Sequence, residues 1–259
     1  MPSQLAAARF GFAALVLAAL IAAAAVLSVR LSLLSYDDGY KLMAAAVAVG
    51  LMALLLGGLW TARALQRNDG AHRRLGLTAL LGAALLLYPP VSTTLKRLTT
   101  PALYDVTTDT ADPPRFVELL KQRGEDSNAP DFDGAREIAY DGEMHTVTYV
   151  LHDYYANELR PATGFVPGSK DPGAIYFWRD FEALKQTGWT IVAFNEQTRR
   201  VEASTESFWF GRISDIVIEA REAGIGARTV IRSQSRHDKI DDGANGENIK
   251  LFLARRSNR

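Results

Sequence analysis

FGFAALVLAALIAAAAVLSV, residues 10–29, is a run of 20 residues without a charge. An α-helix rises about 1.5 Å per residue, so roughly 20 apolar residues cross a bilayer core of about 30 Å. Two further uncharged stretches follow at 42–62 and 75–95, and beyond residue 95 the chain takes on the mixed apolar and charged character of a water-soluble domain. Residues 1–95 are therefore expected to form a membrane domain of three transmembrane helices. The competing reading of the first stretch is a signal peptide, with Arg9 ahead of it and alanines at 22–25 for cleavage. Its apolar run exceeds the about 7–15 residues of a signal peptide, and two more spans follow. Pro89 and Pro90 fall in the last turns of the third stretch, where they are expected to end or kink the helix near Tyr88. A re-entrant third segment would leave the soluble domain in the cytoplasm.

Lys and Arg gather on the cytoplasmic side of membrane helices. The connection at 61–74 carries Arg63, Arg67, Arg73 and Arg74 against Asp69, whereas Arg30 and Lys41 in the preceding connection stand beside Asp37 and Asp38. This pattern puts the N-terminus and the second connection in the cytoplasm. The rest of the chain then lies in the periplasm of a bacterial inner membrane, although Lys96 and Arg97 oppose that orientation.

Residues 1–100 hold 9 Lys/Arg and 3 Asp/Glu while residues 101–259 hold 20 and 26, so the formal net charge of zero conceals +6 and −6. A domain of charge −6 gains nothing from a phosphate backbone, and nucleic acid is not an expected partner. The absence of Cys removes disulfides, thiolate metal sites and Cys nucleophiles. No cofactor is expected, because no Walker, dinucleotide or G-x-S-x-G fingerprint occurs. His145, His152 and His237 follow no metal-ligand spacing.

Residues 96–114 are rich in Thr and Pro and are expected to be an extended tether. In the soluble domain, 115–259, residues 177–188 carry Phe177, Phe181 and Leu184 at helical spacing and end at Gly188. Strand candidates follow at 189–194, 200–206, 212–221 and 227–235, joined by short links that imply an antiparallel meander. A closing helix over 243–255 presents Ile249, Phe252 and Leu253 on one face, with Asp241 or Asp242 as its cap. The fold class is α+β: three transmembrane helices, then a four-stranded antiparallel meander flanked by helices.

Three segments carry a family resemblance. PALYDVTTDTADPPRF (101–116), VEASTESFWFGRISD (201–215) and IRSQSRHDKIDDGAN (231–245) resemble the D-[IV]-T-T-D…D-P-P, E-A-x-x-x-[TS]-x-[WF]-[WF]-G and R-S-x-S-R…D-x-G-x-N stretches of the domain of unknown function 1499 family. Ser214, Asp238 and Ile240 differ from that pattern, and residues 121–176 do not visibly follow it. The resemblance covers roughly 155 residues and implies no activity.

The period-2 rule puts Val201, Ala203, Ile216, Ile218, Ile231, Ser233 and Ser235 on one sheet face, and Glu202, Asp215, Glu219, Arg232, Gln234 and Arg236 on the other. The candidate ligand site is Arg232, Ser233, Ser235, Arg236, Asp215, Asp241 and Asn245. In it the arginine forks hold an anionic group, and Asp241 with Asn245 sits at a helix N-terminus. The simpler reading is a set of cross-strand ion pairs on a solvated face plus a helix cap. Phe208, Trp209 and Phe210 beside Gly211 read either as an anchor for the membrane interface or a lipid chain, or as rings that plug the core edge. The expected function is a non-catalytic envelope module that binds a lipid, an anionic ligand or an envelope protein. The alternative is a membrane-anchored periplasmic hydrolase using His237 with Asp241 or Asp215.

Overall fold

The structure is a computed structural model and describes residues 2–67, 70–156 and 158–257. Asp69 lies outside the described residues, as do the side chains of Arg9, Asp37 and Arg97 used in the charge argument. The chain divides into two units, one of Met1–Leu95 with Phe208–Gly211 and one of Lys96–Ser207 with Arg212–Arg259.

The first unit is built on α1 (Pro2–Arg30), α2 (Tyr36–Gln66) and α3 (Gly70–Thr99). Each contains a stretch long and apolar enough to cross a membrane: Phe10–Arg30, Asp38–Gln66 and Arg73–Thr93. Ala14, Ala53 and Ala83, one from each helix, are buried together. Lipid tails are as apolar as Leu, so membrane helices associate through small residues that let their backbones approach.

The helix does not end near Tyr88: α3 runs through Pro89 and Pro90 to Thr99. The hydroxyls of Ser92 and Thr93 both donate to the Pro89 carbonyl, each at 2.9 Å. Hydroxyls of this kind are among the partners that let a membrane helix tolerate proline. The helix thereby takes up the first residues of the segment read as an extended tether.

In the second unit, an antiparallel sheet has the order β1-β8-β7-β6-β5, with β4 also paired to β8. These strands are β1 (Asp105–Thr107), β4 (Ala162–Phe165), β5 (Thr190–Asn195), β6 (Arg200–Glu206), β7 (Ile213–Ala223) and β8 (Gly226–Ser235). The meander β5–β8 is the one legible in the sequence. The short strands β1 and β4 share the outer edge of β8, and a Cβ on Gly226 would strike the Gly164 carbonyl where β4 crosses.

A separate hairpin, β2 (Glu137–Tyr140) and β3 (Glu143–Thr146), turns at Asp141 and Gly142, both at positive φ as the tight hairpin turn requires. It leads into α4 (Val147–Tyr154). The helix α5 (Pro172–Leu184) starts with Pro172 at its first position and Asp171 accepting from the Ala174 N–H at 2.8 Å. The chain closes with α6 (Ala244–Ser257).

Both faces of the sheet are covered. Val201, Ala203, Ile216, Ile218 and Ile231 pack under α5 and α6 with Phe177, Leu184, Ile249 and Phe252. On the other face, Phe116 and Leu119 from the segment after β1 pack on Val217. Phe116 and Leu119 belong to a strap, residues 108–136, with a 3-10 turn at Leu119–Gln122.

Candidate functional site

The polar face expected to be solvated is buried beneath that strap. Arg232 is 1 % exposed and Asp215 0 %. The Arg232 guanidinium grips Asp105 in a two-pronged pair, Nε to Oδ1 at 2.8 Å and Nη2 to Oδ2 at 2.6 Å, and also donates to the carbonyls of Pro114 and Pro130. The register that places Asp105 opposite Gln234 and Thr107 opposite Arg232 sets up this contact. Gln234 adds a bond to Asp105 Oδ2 at 2.9 Å and one to the Ala129 carbonyl.

One step further along the sheet, Asp215 receives two arginines. Arg236 reaches both of its oxygens, at 2.6 and 3.2 Å, and Arg123 of the strap reaches Oδ2 at 2.8 Å. The guanidiniums of Arg123 and Arg232 lie 4.7 and 4.8 Å from the ring centre of Phe116. Such contacts are favourable when cation and ring are both withdrawn from water. Glu202 completes the clasp by accepting the N–H groups of Val117 and Leu119, each at 2.8 Å.

Arg123, Arg232 and Arg236 thus face Asp105 and Asp215, an excess of one positive charge over the carboxylates they contact. Burial pulls the Arg123 guanidinium below the ordinary arginine range, and its neighbours Arg232 and Arg236 act in the same direction against the pull of Asp215. Two buried atoms of the network, Arg123 Nη2 and Gln234 Oε1, have no hydrogen-bond partner among the described residues.

The remaining residues of the expected site lie on the opposite face, against α6. Ser233 Oγ donates to Asn245 Oδ1 at 2.7 Å, and Asn245 Nδ2 donates to Ser235 Oγ and the Tyr104 carbonyl, each at 3.0 Å. Asp241 caps α6, taking the N–H groups of Gly243 and Asn245 at 2.9 and 2.8 Å. The seven residues therefore form two networks. Arg232, Arg236 and Asp215 hold the strap, while Ser233, Ser235, Asp241 and Asn245 fasten the last helix to β8.

Burial pushes the Asp241 carboxyl up to about 6, although the two backbone N–H groups favour its ionised form. Asp180 of α5 is raised to about 6 by burial as well, with Arg256 and Thr229 opposing. A carboxyl whose folded value lies above its unfolded value binds protons more tightly when folded, so its contribution to stability falls as pH rises from about 4 to 6 and is flat above. Urea unfolding of the full chain in detergent is expected to show the wild type gaining stability relative to Asp241→Asn between pH 7 and pH 5. A difference that stays constant, or moves the other way, would contradict the buried-carboxyl account.

The histidines do not converge. His145 stacks on Tyr149 with ring centres 4.4 Å apart, His152 Nε2 lies 2.9 Å from Thr110 Oγ1, and His237 Nδ1 lies 3.3 Å from Asp126 Oδ2. Among the described residues no group of three His, Cys, Asp or Glu is placed to hold a metal ion. Both oxygens of Asp215 are taken by arginines rather than offered to His237.

Asp105, Arg123 and Asn128, whose side-chain amide donates to the Ser235 and Asp238 carbonyls at 2.8 Å each, were not singled out as site residues by sequence reasoning. Asp105 opens the DVTTD string, which was available as a signal. Arg123 and Asn128 stand in a polar, irregular segment where no periodicity marks an inward side.

Residues 105–255 match the profile of a family described as "Protein of unknown function (DUF1499)". No curated protein matches the chain.

Proposed function

Because the chain belongs to the DUF1499 family and carries three helices long and apolar enough to cross a membrane, we propose that it is a bacterial inner-membrane protein whose second unit is a non-catalytic binding module facing the periplasm. The orientation rests on Arg63, Arg67, Arg73 and Arg74 around the α2–α3 connection, the arrangement that marks a cytoplasmic turn. The binding reading rests on one observation, the buried guanidinium atom Arg123 Nη2, which has no hydrogen-bond partner among the described residues. A buried donor left unpaired costs about 1–3 kcal/mol, more when it is charged, and an anionic group brought to it recovers that energy.

The ligand contacts of this proposal are Arg123, Arg232 and Arg236 with Asp215 beside them. Ser233, Ser235, Asp241 and Asn245 keep β8 and α6 in place behind the site. Entry requires the strap to part from the sheet, where its apolar contacts are Phe116 and Leu119 against Val217 and Phe132 against the main core.

Native mass spectra of the full chain in mild detergent test this. The wild type is expected to carry a discrete extra mass that Arg123→Gln loses while its circular dichroism stays that of the wild type. A bare wild-type protein, or an extra mass retained in Arg123→Gln, would overturn the proposal.

A further inference from the structure

The residues Phe208–Gly211 belong with the first unit, and their surroundings there are specific. Arg30, in the last turn of α1, donates from Nη2 to the Phe208 carbonyl at 2.5 Å and from Nε to the Trp209 carbonyl at 3.2 Å. Tyr36, the first residue of α2, lies with its hydroxyl 3.4 Å from the Gly211 carbonyl. Phe210 is 8 % exposed, with its ring centre 4.9 Å from that of Tyr40 and its edge against Gly39.

One ring of the three is therefore buried, and it packs on the start of α2. The other two point outward: Phe208 is 79 % exposed and Trp209 46 %, and they stand edge to face with centres 5.1 Å apart. The α1–α2 turn beside them exposes Leu31, Leu33 and Leu34. All five of these apolar side chains are exposed among the described residues.

Its depth follows from the helices that hold it. The first apolar span ends at Arg30 and the second begins at Asp38, so the tip is pinned at the level where the hydrocarbon core gives way to headgroups. Trp concentrates at that boundary because its ring is amphipathic, apolar in the body with one polar N–H. Arg30 suits the same level, its guanidinium taken up by two carbonyls. We propose that Phe208 and Trp209, with Leu31, Leu33 and Leu34, form an interfacial anchor that inserts between lipid headgroups of the membrane the helices span. Leu27, one turn before Leu31 on the spanning helix, is exposed as well, and a bilayer is the occupant that this succession of exposed leucines selects.

The full chain reconstituted into phosphatidylcholine vesicles provides the test. It has four tryptophans, so Trp60→Phe, Trp178→Phe and Trp189→Phe together leave Trp209 as the sole indole. Trp209 emission is expected to be blue-shifted and quenched more by lipid brominated high on the acyl chain than by lipid brominated near the chain end. The additional change Arg30→Ala should weaken that quenching. The difference between wild type and Trp209→Phe reports the same ring with a single conservative change, should the triple variant misfold. Quenching by aqueous iodide alone, or stronger quenching from the chain end, would overturn the anchor.

Discussion

Asp215→Ala is expected to unfold the second unit under conditions where the wild type is stable. Asp215 is fully buried and is the carboxylate shared by Arg123 and Arg236, at 2.8 and 2.6 Å. Removing one partner of a buried ion pair costs about 3–5 kcal/mol, because the charge left behind has lost both water and counter-ion. Here two guanidiniums are stranded together, against a total stability of about 5–15 kcal/mol for a domain. The comparison is Glu222→Ala, which removes an exposed partner of Arg199 at 2.9 Å and should shift stability by less than about 1 kcal/mol. Urea unfolding of the full chain in detergent, followed by near-ultraviolet circular dichroism, separates the two. If Asp215→Ala loses no more than Glu222→Ala, the arginine network does not hold the strap.

The second large effect is expected within the membrane helices, from Gly76→Leu. A Cβ at Gly76 would lie 2.6 Å from Thr61 Oγ1 and 2.9 Å from Thr61 N, and one at Gly57 would lie 2.7 Å from Leu80 N. Thr61 cannot swing clear without breaking the 2.8 Å bond its hydroxyl makes to the Gly57 carbonyl. Backbone therefore meets backbone between α2 and α3, the approach that small residues permit in lipid. Overpacking typically costs about 1–3 kcal/mol, and a clash with main chain allows less relief than one with a side chain. Gly76→Leu is expected to lower the melting temperature of the helical unit in detergent and broaden its size-exclusion peak. Gly70→Leu serves as the control, since a Cβ there meets nothing within 4 Å. Equal behaviour of the two variants would remove the close contact from the account.

What the sequence makes legible follows from which elements have a pattern of their own. The uncharged runs and the alternation in β6, Arg200–Glu206, announce themselves because burial imposes a period on several residues at once. β1 has three residues and exists only because β8 offers it an edge, so no local signal precedes it. The prolines of α3 mislead for a related reason, since the rule against them assumes a helix in water.

The buried arginine network was half visible. Arg232, Arg236 and Asp215 were placed correctly on one face, but polar residues alternating with apolar ones ordinarily mean that the polar face meets solvent. The cover over them is a strap made of carbonyls, the two rings of Phe116 and Phe132, and Arg123, none of which forms a periodic signal. Ser233 and Ser235 point the other way for the reason the alternation rule states, which is why a single pocket containing all seven residues does not exist.

The Arg232–Asp105 pair spans 127 positions of the chain, and Arg123–Asp215 spans 92. During synthesis at about 5–20 residues per second, Asp105 therefore waits roughly 6–25 s for its partner to be made. The strap cannot be seated before β7 and β8 exist, so its place on the sheet is filled only after the C-terminal strands have been made. A segment that must wait that long as unfolded chain beside a bilayer is safest if it has little apolar surface to bury, and the composition that hides the strap from sequence reading gives it that property.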